Sequence, residues 1–262
     1  VLDGRVLVAG APVQRPDRLV DPADALHVTG PPPRYVGRGG HKLEAALAGF
    51  GIDPTGWRAI DVGASTGGFT DCLLQHGALS VVAIDVGRHQ LHEKLRADPR
   101  VVVREQTDVR DVVPDALGGP VPLVVADLSF IGLTAVLDAV LALVAPGGRL
   151  VVLVKPQFEA GRAAASRGRG VIRDPEVWSA VLRRVGSDVE ARGAAMMGLM
   201  VSPITGSEGN VEFLALVAPG VVGVGDEAIA SLADAAVARA CSLVAGVRPA
   251  AHGEGRTVKD AR

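Results

Sequence analysis

The sequence predicts an α/β fold: a mostly parallel sheet of seven strands with helices on both faces. Three observations carry that expectation. Short apolar runs recur between segments of helical period, as in a sheet covered on both sides. An acidic residue follows each of the first three runs: Asp61, Asp85 and, after Val101-Val102-Val103, Asp108. The first run continues through Asp61-Val62-Gly63-Ala64-Ser65-Thr66-Gly67-Gly68-Phe69 into a helix, giving strand, glycine-rich turn and helix in succession.

Taken in order, residues 1–28 read as short strands with tight turns, too few to bury a core alone. The chain opens as though the helical half of a small domain were missing or lay upstream. Gly30-Pro31-Pro32-Pro33 is a stiff linker. Residues 38–50 have helical period, with Leu43, Ala46, Leu47 and Phe50 on one face and Arg38, His41 and Lys42 at the start. Strands are expected at 57–61, 81–85, 101–103, 123–127 and 150–154. A long helix over 133–144, closed by Ala145-Pro146-Gly147-Gly148, should separate the last two. Residues 161–173 carry Arg162, Arg167, Arg169 and Arg173 with no acid among them, the composition of a flexible basic loop. Asp174-Pro175 caps a helix to about 191. Strands at 196–201 and 211–217 form a closing reversed hairpin, and 226–244 is a terminal helix.

Composition narrows the function. With 262 residues the chain holds one sizeable α/β domain plus small additions, and 48% hydrophobic residues suffice for a full core. A formal net charge of −2 leaves any nucleic-acid surface to a local patch. Cys72 and Cys241 lie in apolar helical patterns and read as small core residues in a reducing cytosol. No signal peptide is read at the start, and Asp138, Asp234 and Arg239 interrupt the longest apolar stretches, against a membrane span.

The glycine spacing separates two ligands. A dinucleotide site wants G-x-G-x-x-G against a pyrophosphate. The pattern here is D-x-G-x-x-x-G-G-F. S-adenosylmethionine carries an ammonium, a carboxylate, a ribose diol and an adenine. Asp61 suits the ammonium, Asp85 the diol and Asp108 the adenine amino group, while Gly63, Ser65, Thr66, Gly67, Gly68 and Phe69 form the turn. A second constellation joins Lys42, Asp127, Lys155 and Glu212. Lys155 ends an all-apolar strand, where a lysine needs a partner, and Asp127 ends the neighbouring strand. A lysine removed from water beside a second lysine can act as a base toward a sugar hydroxyl, with two carboxylates holding it.

Five stretches in order carry a resemblance: Arg38-Gly39-Gly40-His41-Lys42-Leu43, Ser65-Thr66-Gly67-Gly68-Phe69, Asp127-Leu128-Ser129-Phe130-Ile131, Lys155-Pro156-Gln157-Phe158-Glu159 and Gly209-Asn210-Val211-Glu212. Together they resemble the TlyA-type (haemolysin A-like) ribosomal RNA methyltransferases, which are similar to FtsJ-type 2′-O-methyltransferases. The resemblance implies a Rossmann-like class I S-adenosylmethionine-dependent methyltransferase over 37–248, with Lys42, Asp127, Lys155 and Glu212 as its catalytic tetrad. Asp61, Gly63, Ser65, Thr66, Gly67, Gly68, Phe69, Asp85, Asp108 and Asp127 would hold the cofactor. The implied product is a cytidine methylated on its ribose 2′-hydroxyl in ribosomal RNA. The implied partners are ribosomal RNA or ribosomal subunits in the cytoplasm, with no membrane and no metal. Residues 1–29 would be the tail of a small RNA-binding domain like that of a ribosomal small-subunit protein, without its helical front. Residues 30–36 would be the linker and 249–262 a disordered tail. Arg34, Arg38, Arg162, Arg167, Arg169 and Arg173 are the expected RNA contacts.

Three alternatives compete. An amino-group methyltransferase would carry Asp/Asn-Pro-Pro-Tyr/Phe where Asp127-Leu128-Ser129-Phe130 stands. A small-molecule O-methyltransferase is favoured by the short front and opposed by the basic loop. A membrane-lytic protein would need an amphipathic cationic helix stronger than any present.

Overall fold

The chain falls into two units, Val1–Arg34 and Tyr35–Arg262. The computed structural model describes residues 1, 4–15, 17–161 and 170–246. In the first unit β1 (Val6–Val8), β2 (Ala11–Pro12) and β3 (Leu26–Val28) form an antiparallel sheet in the order β2-β1-β3. Ala9 and Gly10, both at positive φ, make the two-residue turn between β1 and β2, the geometry that matches strand twist. Arg5 donates to the carbonyls of Thr29 and Pro31, fastening the end of the unit to its beginning.

In the second unit the seven strands are β4 (Arg58–Val62), β5 (Ser80–Ile84), β6 (Val101–Arg104), β7 (Val121–Ala126), β8 (Val144–Val154), β9 (Ala194–Val201) and β10 (Phe213–Pro219). Their order is β6-β5-β4-β7-β8-β10-β9. The pairs through β8 are parallel, and β10 runs antiparallel to both its neighbours. Alternation along the strands splits the core into two layers. Ile60, Val62, Val124 and Val152 face α4 (Leu137–Ala142), α6 (Pro175–Glu190) and α7 (Asp226–Gly246). Ala59, Leu123, Val125 and Val151 face α1 (Gly39–Phe50), α2 (Gly68–Gln75) and α3 (Glu93–Arg96). This is the seven-stranded, mostly parallel α/β sheet that the sequence predicts.

The departures have local causes. The expected helix over 133–144 is a 3-10 turn at Leu133–Ala135 followed by the short α4, because Val136 leaves helical geometry at φ −123°. The four residues expected to close that helix belong to β8, which begins at Val144 and bulges before Arg149 pairs with Leu123. Gly147, at φ +75°, accommodates the bulge. Two short helices went unread, α3 and α5 (Pro156–Glu159), each only one turn long and below the reach of periodicity. α7 is long and apolar enough to cross a membrane by length and composition, and Asp234 and Arg239 lie within it. Its Ile229, Ala233, Ala236 and Ala240 are buried in the domain. The basic segment 162–169 and the tail expected over 249–262 lie outside the described residues.

Candidate active site

The carboxyl edge of the sheet gathers the chemistry. Asp127 follows β7, and its amide donates to the Val62 carbonyl at 3.0 Å, which sets it beside the glycine-rich turn. Lys155 follows β8. Because β10 is reversed and pairs Phe213 with Val154, Glu212 enters the same edge from the other chain direction. Lys42 comes from the first turn of α1, where two glycines allow close approach: a Cβ on Gly40 would strike the Tyr35 ring, and one on Gly68 would lie 2.9 Å from the Gly40 nitrogen.

These four residues meet. Lys42 Nζ donates to Glu212 Oε2 at 2.6 Å and stands 3.7 Å from Asp127 Oδ2. Lys155 Nζ stands 2.6 Å from Asp127 Oδ1 and donates to Ser129 Oγ at 2.7 Å. Lys42 and Lys155 are each 7% exposed and Glu212 is 3% exposed. Burial makes such charges costly unless paired, and the alternation of two ammonium and two carboxylate groups compensates them. Asp127 is the shared member, touching both lysines through different oxygens.

Two cavities adjoin at this edge. One of about 390 Å³ is lined by Asp85, Gln90, Thr107 and Asp108 on one side and by residues 127–131 on the other. The second, of about 190 Å³, is lined by the turn from Gly63 to Phe69 together with Asp127, Ser129 and Lys155. Gly63 sits at φ +79°, and a Cβ there would lie 2.6 Å from the Asp127 carbonyl oxygen, so only glycine lets the turn pass this close. Asp85 accepts from the amides of Ser65 and Gly87, each at 2.7 Å, and each carboxylate oxygen keeps acceptor capacity.

The expected cofactor residues are not all alike. Gly63, Ser65, Thr66, Gly68, Phe69, Asp85, Asp108 and Asp127 line the cavities. Gly67, at φ +97°, caps α2, and a Cβ there would collide with Leu95. Asp61 is fully buried. Its Oδ2 accepts from Thr70 Oγ at 2.7 Å, and Oδ1 has no hydrogen-bond partner. Burial pushes its carboxyl up to about 7, Asp127 and Asp85 add to the rise, and the Thr70 hydrogen bond opposes it. Asp108 is bound to Arg110 Nε and Nη2 at 3.0 and 2.6 Å, and that pairing holds its carboxyl down at about 2.

Of the arginines, Arg34 and Arg173 are exposed, and Arg38 donates to the Thr205 carbonyl at 2.7 Å. Arg162, Arg167 and Arg169 lie outside the described residues. Sequence reasoning gave no role to Ser129, the second partner of Lys155, nor to Phe130, which is 92% exposed at φ +66° and packs its ring 5.4 Å from that of Phe158. Their signal is adjacency to Asp127 in a polar-aromatic stretch ending a buried strand.

Residues 35–218 match the family model described as FtsJ-like methyltransferase. The 16S/23S rRNA (cytidine-2′-O)-methyltransferase TlyA of Mycobacterium tuberculosis is 46% identical over 80% of this chain and 78% of its own. Hemolysin A of Brachyspira hyodysenteriae is 39% identical over 82% of this chain and 89% of its own. A solved structure described as a candidate hemolysin from Streptococcus thermophilus superposes with a TM-score of 0.78 at 38% identity, over 93% of this chain and 90% of that one.

Proposed function

Because the chain belongs to the FtsJ-like methyltransferase family, we propose that it transfers a methyl group from S-adenosylmethionine to a cytidine ribose 2′-hydroxyl of ribosomal RNA, in the cytoplasm. The observation that carries this reading is the unbroken line of ion pairs Glu212–Lys42–Asp127–Lys155 beside two adjoining cavities. The residues at the edge fit the cofactor. Asp85 retains lone pairs for a diol. Gly63 lacks the Cβ that would strike the Asp127 carbonyl, and buried Asp61 keeps one oxygen without a hydrogen-bond partner. Thr107 and Asp108 would border the adenine. Bound there, S-adenosylmethionine supplies a methyl group made electrophilic by its sulfonium.

The protein's part is to deliver and activate an oxygen. Lys155 Nζ faces the smaller cavity, and a hydroxyl placed there would hydrogen-bond to it. The amine either receives the hydroxyl proton as the oxygen attacks or, as ammonium, holds the oxygen in place and stabilises its developing charge while the proton passes to water. Asp127 and Ser129 fix Lys155 on two sides, while Lys42, itself held by Glu212, fixes Asp127. Positioning of this kind supplies much of the rate. Phe130 offers an exposed aromatic face at the rim of the larger cavity, on which a base could stack. The likeness to TlyA makes ribosomal RNA the acceptor to try first.

Incubating the protein with methyl-labelled S-adenosylmethionine and either free ribosomal RNA or assembled subunits, then digesting to nucleosides, tests the reading. 2′-O-methylcytidine is the expected product. A label on a base nitrogen, or none in RNA, would discard it.

A further inference from the structure

On the reading that this site methylates a ribose hydroxyl, we infer that Glu159 is a positioning residue for the transfer, holding the Ser129–Phe130 segment against Lys155. The loop from Asp127 to Leu133 carries both groups that touch Lys155 Nζ, Asp127 and Ser129, and forms one wall of the larger cavity. Its backbone amides are tied at the two ends. At the first, the Asp127 amide is held by Val62 of β4. At the other, the Leu133 amide donates to Glu159 Oε1. Among the described residues no amide from 128 to 132 has a backbone partner. Phe130 sits within this span at positive φ, a conformation that costs a non-glycine residue free energy and persists only when its surroundings dictate it.

Glu159 is well placed for the task. It ends α5, the single turn that Lys155 caps, so one short segment delivers the lysine and fastens the loop that contacts it. The side chain is buried. Arg184 of α6 donates to Glu159 Oε2 at 3.1 Å and to its backbone carbonyl at 2.6 Å, anchoring α5 to a long helix of the core. Burial pushes the Glu159 carboxyl up, which the Leu133 amide and Arg184 counteract. A buried carboxylate with two defined partners at this cost is a device for geometry, since an apolar side chain of similar size would fill the space.

The two contacts can be separated. Glu159→Gln keeps an acceptor for the Leu133 amide and loses the charge opposite Arg184. Arg184→Met keeps the Leu133 bond and loses the anchor. Glu159→Ala loses both. In the full chain, well below its unfolding temperature and at saturating RNA and cofactor, Glu159→Ala should lower kcat by ~10-fold or more, since displacements near 1 Å reach 100-fold. Glu159→Gln should recover most of that rate, and Arg184→Met, which loosens α5 but keeps the Leu133 bond, should lower Tm and reduce kcat less than Glu159→Ala does. Hydrogen exchange at the Leu133 amide, read by mass spectrometry without any substrate, should quicken in Glu159→Ala only. Wild-type exchange at Leu133 in Glu159→Ala overturns the inference, as does a Glu159→Gln variant with no more activity than Glu159→Ala. Were the wild type to methylate no RNA, the functional reading would fall while the exchange measurement still decided the role of Glu159 in holding the loop.

Discussion

Asp61 and Lys155 are ionisable groups kept out of water, and they are partnered unequally. Lys155 has a carboxylate and a hydroxyl within 2.7 Å, whereas Asp61 has one hydroxyl and a bare oxygen. The consequence for Asp61 is a stability that depends on pH. Its carboxyl titrates near 3.8 when unfolded and at about 7 when folded, so between these values the folded state binds more protons. Stability from this group is therefore full below about 4, falls as pH rises and levels off above 7. At 1.36 kcal/mol per unit the change is on the order of 4 kcal/mol. Asp61→Asn should flatten the urea-denaturation profile between pH 4.5 and 8 and exceed wild-type stability at the upper end. Parallel profiles for the two proteins would refute this account. For Lys155 the expectation concerns turnover. Lys155→Ala should abolish methyl transfer while calorimetry finds nearly wild-type cofactor affinity. Lys155→Arg should also fail, because a planar guanidinium neither gives up its proton nor fits the compact place between Asp127 and Ser129. Near-normal turnover of either variant would remove Lys155 from the chemistry.

At the scale of elements, the amides of residues 89–91 after β5 converge on one carboxylate. Glu105 accepts from the amides of His89, Gln90 and Leu91 and from Arg96, and these bonds, that to Leu91 foremost, hold its carboxyl at about 2. The sign is opposite to that of Asp61. The contribution is complete above about 4.5 and disappears as pH falls toward 2. Glu105→Gln should speed amide exchange at residues 89–91 at pH 7 and weaken cofactor binding, because Gln90 lines the larger cavity. Equal exchange rates would mean that packing alone holds the segment. None of this staple was legible in the sequence, since Glu105 contacts residues 14 to 16 positions away across a loop. What was legible had local causes. Apolar runs gave the strands, Gly63 and Gly67 gave the turn, and a lysine after a buried run, with Asp127 at the end of the neighbouring strand, gave Lys155. Ser129, Glu159 and the bulge in β8 depend on strand order, which no single stretch encodes. The three carboxylates expected to hold the cofactor illustrate the limit: Asp85 follows β5 and Asp108 comes after β6, yet Asp61 lies buried within β4 and Asp108 is engaged by Arg110.

For the whole molecule, a net charge of −2 means that any attraction to RNA would have to come from a local basic patch. Arg173 is exposed, and Arg173→Gln should lower the slope of log affinity against log salt by about one if it meets a phosphate. An unchanged slope would make it an ordinary surface residue. The reversal of β10 has a consequence for how the gene can be altered. Six strands reach the reactive edge at their carboxyl ends, and β10 reaches it at its amino end. Tolerance to inserted sequence should therefore follow the edge of the sheet and not position along the chain. A short flexible peptide spliced in at Gly119 or Gly193, both on the far edge, should leave methyl transfer intact. The same peptide at Gly206, where a Cβ would already lie 2.6 Å from Glu212 Oε1, should silence it, although that loop is over 50 residues from Lys155. A library of such insertions screened for activity would outline the reactive edge directly.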